Sequence, residues 1–219
     1  MNVKYRIYID FDGTIALNDV GDKLFQTFAG EDWEEPIKEW AEGRISSKEV
    51  FIRECKMMHL TRDTLDAFSD EQRLDPNFRN FIAHCDEHGY PVTILSDGLD
   101  LYINKILKNH GFEHIPVRSN KLIFENETRV RPEFPYFEKG CTQCGNCKGY
   151  HIRKDRVDGE TIVYVGDGLS DRCGVAESDI VFAKDDLEKF CIEKTIPYHR
   201  FGNFRDVLNK FIDITNGGQ

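Results

Sequence analysis

No apolar stretch of this 219-residue chain approaches the roughly 18 to 20 residues that a helix needs to cross a bilayer, so no membrane role is expected. A long basic run is also missing and the formal net charge is −10, which argues against DNA or RNA as the main partner. The N-terminus has no charged-then-apolar leader, and it enters a strand-like run at once. The seven cysteines are an odd number, and without an export signal they read as thiols or metal ligands in a cytoplasmic protein, not as a disulfide framework. Internal repeats and low-complexity segments are absent. What is present, 40% hydrophobic and 31% charged residues, fits one good-sized core or a core domain with a small insert. Nothing in the composition fixes an oligomeric state.

Strand-like and helical runs alternate along the chain. Tyr5 to Ile9 reads as a first buried strand. From Asp19 to about Ser69 strand-like alternation disappears: Leu24, Phe25 and Phe28 form one helical stripe and Ile37, Trp40 and Ala41 another, and Ser46 to Glu49 has capping-box spacing. Val92 to Leu95 follows as a second strand, Val117 to Glu127 as one or two short ones, then a proline-rich loop at Pro132 and Pro135, and further strands at Thr161 to Val165 and Ile180 to Phe182. Strands interleaved with helices predict an α/β fold with a mostly parallel sheet covered on both faces. The expected division is a core of residues 1–15 and 75–219 with a helical cap, 16–74, inserted after the first strand.

The most informative stretch is Asp10-Phe11-Asp12-Gly13-Thr14, directly after the first strand. Ligands of parallel α/β sheets bind at the carboxyl ends of strands, where two like charges are costly unless a cation or a reaction requires them. A calcium loop would need a glutamate at its twelfth position, and that position is Gly21. A plain polar turn remains the simple alternative, and it predicts no matching motifs downstream. There are three. Ser96-Asp97-Gly98 ends the second strand, where a hydroxyl and free backbone N–H groups can hold phosphate oxygens. Asp167 and Asp171 follow a later strand, where magnesium would take one or two carboxylates. Lys148, ahead of a probable helix, reads in isolation as a solvated charge like its competitors Lys139 and Lys154, and only its spacing within the motif set of a known family singles it out as the positive partner.

As an ordered set these motifs resemble those of the haloacid dehalogenase superfamily, in the phosphatase subgroup that includes the phosphoserine phosphatases and carries a helical cap at this point. The resemblance implies a Rossmannoid three-layer core and a Mg²⁺-dependent phosphomonoesterase acting on a small phosphorylated metabolite. By the same resemblance, Asp10 is the nucleophile, forming an aspartyl-phosphate, and Asp12 the general acid and base. Ser96, Asp97, Gly98 and Lys148 bind phosphate; Asp10, Asp12 (through its carbonyl) and Asp167 hold the metal; Asp171 orients Lys148 or a metal-bound water. The Cys144-Gly-Asn-Cys-Lys148 string departs from plain phosphoserine phosphatases and is similar to that of the methionine-salvage and phosphoethanolamine/phosphocholine phosphatase families.

Cys141, Cys144 and Cys147 form a CxxCxxC array. With Cys173 as a fourth ligand they suit Zn²⁺, and an iron–sulfur centre or plain reduced thiols shaping the Lys148 loop are the alternatives. A metal-thiolate or regulatory protein on a vestigial phosphatase core is therefore the competing functional reading. In the cap, Arg44, Lys48 and Arg53 are the candidates to meet an anionic substrate group.

Overall fold

The computed structural model describes residues 4–217; positions 1–3 and 218–219 of the expected core lie outside them. Strand β1 (Lys4–Ile9) is the middle of a seven-stranded sheet. On one side lie β2 (Val92–Leu99), β3 (Val117–Phe124) and β4 (Val130–Glu133), and on the other β5 (Glu160–Gly166), β6 (Ile180–Ala183) and β7 (His199–Arg200). All neighbours run parallel except β3 and β4, which form an antiparallel hairpin at one edge. The α/β expectation holds.

Alternation along β1 builds two apolar layers. Ile7 and Ile9 face one side with Phe78 and Phe81 of α5 (Phe78–His88), Ile103 and Ile106 of α6 (Asp100–Asn109), and Phe204 and Phe211 of α10 (Phe204–Gly217). Tyr8 faces the other side with Tyr164, Ile152 of α7 (Lys148–Asp155), Val175 of α8 (Arg172–Val175), and Leu187 and Cys191 of α9 (Asp185–Lys194). This covering on both sides explains why the strands are apolar almost throughout.

Between β1 and α5 lie four helices: α1 (Val20–Phe28), α2 (Glu35–Ala41), α3 (Ser47–Met57) and α4 (Arg62–Asp70). Their apolar faces, including Leu24, Phe25, Cys55 and Leu65, join the same hydrophobic cluster as the core helices. The Ser46 hydroxyl accepts the Glu49 N–H at the start of α3, but the Glu49 carboxylate accepts from Arg53 and does not close the reciprocal half of the box.

Two local readings change. Pro132 sits in β4 and not in a loop; β4 is an edge strand, where the missing N–H of proline costs no ladder bond. Ser96, Asp97 and Gly98 are not a turn after β2 but part of it, at an irregularity where its register with β3 shifts between Leu95 and Leu99. That irregularity is the local distortion expected beside a functional site.

Candidate active site

Asp10 leaves β1 with its N–H donated to the Val165 carbonyl of β5 (2.9 Å), so its position is fixed by the sheet ladder. The chain then makes a single wide turn, closed by the Ala16 N–H on the Phe11 carbonyl (2.9 Å). Gly13 is the residue that allows it. Its φ is +70°, and a Cβ there would strike the Asp167 carboxylate.

Lys148, the first residue of α7, is completely buried and donates to Asp10 Oδ1 (2.6 Å), to Asp171 Oδ1 and to Ser170 Oγ (3.2 Å). Lys139 and Lys154 are exposed and far from this role. Burial of Lys148 disfavours its charge, but Asp10 and Asp171 outweigh that and raise its pKa. Asp171 has no oxygen to spare: Oδ1 accepts from Lys148 and Tyr164 Oη (2.6 Å), and Oδ2 from the Asp167 and Gly168 N–H groups (2.9 and 3.0 Å).

Asp12 is held from four directions. Oδ1 accepts the Val20 and Gly21 N–H groups at the start of α1 (3.2 and 3.3 Å), and Oδ2 accepts from Ser96 Oγ (3.2 Å) and Tyr102 Oη (2.9 Å). Burial, with Asp19 adding to it, still pushes its pKa up to about 8. Asp167 accepts from Thr14 Oγ1 at Oδ1 (2.5 Å), and burial with Asp171 nearby pushes it up to about 7. Asp10 is raised well above the usual carboxylate range, first by burial and then by Asp171.

Carboxylate oxygens of Asp10, Asp167 and Asp171 lie within 4.8 Å of one another. Asp171 is fully engaged, so the acids with an unpartnered oxygen among the described residues are Asp10 and Asp167, both through Oδ2. Two hard, half-open carboxylates suit a divalent cation such as Mg²⁺, and the raised pKa values are what such a cluster shows without its counter-charge.

Ser96 Oγ accepts the Gly98 N–H (2.8 Å) while donating to Asp12, so this hydroxyl and this N–H are already engaged with each other. The Asp97 carboxylate is a bracket: it accepts from Ser47 of α3 (2.6 Å), Asn120 (3.0 Å) and the Asn146 N–H (2.6 Å), tying the helical insert to the loop that precedes Lys148.

Above the acids opens a cleft of about 400 Å³. Its far wall comes from α1 to α3: Asp22, Phe25, Trp40, Phe51 and Glu54, with Asp19 at the turn into α1. Among its described lining residues there is no Lys or Arg. The three basic candidates of the insert point elsewhere. Arg44 pairs with Glu42, Arg53 with Glu49 and Glu39, and Lys48 lies over the Phe137 ring (4.1 Å). Arg44 and Arg53 are taken up by acids close by in the sequence, and Lys48 by a ring from beyond the insert.

Sequence reasoning passed over Tyr102, Tyr164, Thr14 and Glu54. Thr14 closes the DxDGT pattern and was within reach. Glu54 carried a signal too, an acid on the helix face that also holds Ser47, Val50 and Cys55. The tyrosines look like ordinary core aromatics.

Comparison with known proteins fits this geometry. The model of the haloacid dehalogenase-like hydrolases matches residues 7–174. The chain is 32% identical over 208 residues to a 2-hydroxy-3-keto-5-methylthiopentenyl-1-phosphate phosphatase of Geobacillus kaustophilus, covering 93% of each, and 28% identical over 212 residues to the protein of the same name from Brevibacillus brevis, covering 95% of each. Among solved structures, a phospho-aspartyl intermediate analogue of phosphoserine phosphatase shares the fold with a TM-score of 0.73 at 22% identity, covering 94% of this chain and 98% of that one. The chain belongs to the haloacid dehalogenase-like hydrolase family, among its phosphoric monoester hydrolases.

Proposed function

We propose that this chain hydrolyses a small phosphate monoester in a Mg²⁺-dependent reaction through an aspartyl-phosphate on Asp10, with residues 16–74 acting as the cap over the site. The carrying observation is the asymmetry of Asp10: Oδ1 is clamped by buried Lys148, while Oδ2 has no partner among the described residues. In the first step one carboxylate oxygen of Asp10 forms a bond to phosphorus as the ester P–O bond breaks. Asp12, held towards the site by Tyr102 and Ser96, gives the departing oxygen its proton and then accepts one from the water that opens the acyl phosphate. Lys148 offers its positive charge where phosphoryl charge builds, and the Ser96 hydroxyl would have to turn from Asp12 to donate there. Asp10, Asp167 and the Asp12 carbonyl would hold Mg²⁺, whose contribution is neutralisation of phosphoryl charge. Nothing in this chemistry requires the four thiols, and the reading of a vestigial core is not favoured, since no member of the motif set is missing.

The cleft wall bears on the substrate. A leaving group with a carboxylate would face Asp19, Asp22 and Glu54 with no basic partner, whereas one carrying only keto, hydroxyl and thioether groups would rest on Phe25, Trp40 and Phe51. The ester for which the two relatives are named is of the second kind, and we take it as the first substrate to test.

The test is a panel of that ester, phosphoserine and an aryl phosphate, assayed with Mg²⁺ and after chelation by EDTA. Hydrolysis that requires Mg²⁺, with phosphoserine the poorest substrate, is expected. Full turnover in EDTA would overturn the metal role, and a preference for phosphoserine the reading of the cleft.

A further inference from the structure

Four of the seven cysteines are placed together by two separate parts of the chain. Cys141, Cys144 and Cys147 lie on the loop that leads into α7, and Cys147 is the residue immediately before it. Cys173 is in α8, two positions after Asp171. Their sulfurs nevertheless converge to within 4.8 Å of one another. Individual separations are 3.3 Å for Cys141 and Cys144, 3.7 Å for Cys141 and Cys173, and 4.0 Å for Cys144 and Cys173. Four thiolates around zinc at Zn–S bonds of about 2.3 Å would stand about 3.8 Å apart. The thiols are all free, and no pair among them is at bonding distance.

A second observation is independent of the sulfurs. A Cβ at Gly149 would collide with the Cys173 carbonyl, so the backbones of α7 and α8 approach more closely than side chains permit. Simple packing does not call for four half-polar thiols at such a junction, whereas the other three cysteines, Cys55, Cys85 and Cys191, are buried singly among apolar neighbours. The surroundings also tolerate a charged centre. Arg172 borders the same surface hollow as Cys141, Cys144 and Cys173, and Cys147 stands at the positive N-terminal end of α7.

We propose that Cys141, Cys144, Cys147 and Cys173 bind one structural Zn²⁺ ion that pins the Lys148 loop to the Asp171 turn. On binding, each thiol releases its proton to buffer and donates a sulfur lone pair to the metal, with no change of oxidation state. Four protein ligands leave no open position for water, so the centre is closed and non-catalytic. Its place in the chain gives it a use. Cys147 is bonded to Lys148 through one peptide, and Cys173 follows Asp171 by two, so the clip holds both ends of the buried ion pair that orients Asp10.

Elemental analysis of the full chain, expressed with zinc in the medium and purified without chelator, should find about one zinc per chain. Exchange for Co²⁺ should give thiolate-to-cobalt charge-transfer bands and the intense visible bands of a tetrahedral site. Cys144→Ser and Cys173→Ser should lose the metal, while Cys85→Ser and Cys191→Ser should retain it. Where a ligand variant fails to fold, the wild-type protein answers instead: titration with a mercurial in the presence of a zinc indicator should release the zinc as the array reacts. Turnover should fall on the order of 10²-fold in a folded ligand variant, through a misplaced Lys148. Metal-free protein with intact thiols, stoichiometric iron in place of zinc, or a disulfide within the array by intact mass would each overturn the proposal. Apart from turnover, none of these readouts uses a phosphate ester, so the zinc site stands or falls apart from the phosphatase reading.

Discussion

The two acidic walls of the cleft are built on opposite terms. On the floor, Asp10, Asp12, Asp167 and Asp171 share a buried lysine, two tyrosine hydroxyls, a serine, a threonine and four backbone N–H groups. On the side of the helical insert, Asp19 and Asp22 open to the cleft, and Glu54 is buried with Oε1 lacking a partner among the described residues. Burial, with Asp22 and Asp19 adding to it, pushes Glu54 up to about 9. Burial raises acids on both walls, but only those of the floor have hydrogen-bond donors arranged to hold the carboxylate form.

Replacement of the floor acids should have the largest effect. Asp10→Asn should remove the phospho-enzyme altogether, as read by trapping with labelled substrate; a labelled variant would move the nucleophile elsewhere. Asp12→Asn should slow turnover by about 10² to 10⁴, most for esters with poor leaving groups. An equal loss across leaving groups would deny Asp12 the role of acid.

Removing the cation of the floor tests its compensation. Lys148→Ala leaves two buried acids without their partner and should lower stability by about 3 to 5 kcal/mol in denaturant titration. A loss under 1 kcal/mol would show that the pair contributes only orientation.

The smallest effect is on the cap side, and it has the opposite sign. Because the folded pKa of Glu54 lies above its unfolded value, folding binds a proton more tightly there, and stability falls as pH rises from about 4.5 towards 9. Glu54→Gln should flatten that fall and gain a few kcal/mol at pH 8, with little change at pH 4. Parallel pH profiles for the two proteins would contradict the buried, unpartnered acid.

Much of the floor was legible because its parts sit at strand ends and next to glycines, features that local sequence records. Asp10 and Asp12 share the end of β1, Asp167 follows β5 and Lys148 stands beside Gly149, and the structure brings these three places together. Cys173 could be paired with the CxxCxxC array because the array's loop adjoins the Lys148 motif and Cys173 the Asp171 motif. The partners of these groups were less visible. Tyr102 and Tyr164 act through single hydroxyls on otherwise apolar bodies, and their sequence signal is that of core residues. Ser96 reads as a turn residue because Ser-Asp-Gly carries turn chemistry, whereas β2 continues to Leu99, where it pairs with β3 again past the irregularity. Arg44, Lys48 and Arg53 were legible only as charges; Arg44 and Arg53 are taken up by acids close by in the sequence, and Lys48 by a ring from far along the chain.

The strand order has a consequence for how the molecule breathes. β1 has two strands and then more beyond it on either side, so the amides of Tyr8, Ile9 and Asp10 can meet solvent only when the sheet itself comes apart. α2 lies at the exposed rim and has Pro36 as its only buried residue, so it can open while the sheet stays closed. In deuterium exchange the Asp10 amide should therefore be among the last to label, and those of α2 among the first; on the proposed function, an insert that parts to admit an ester would leave the attacking carboxylate in place.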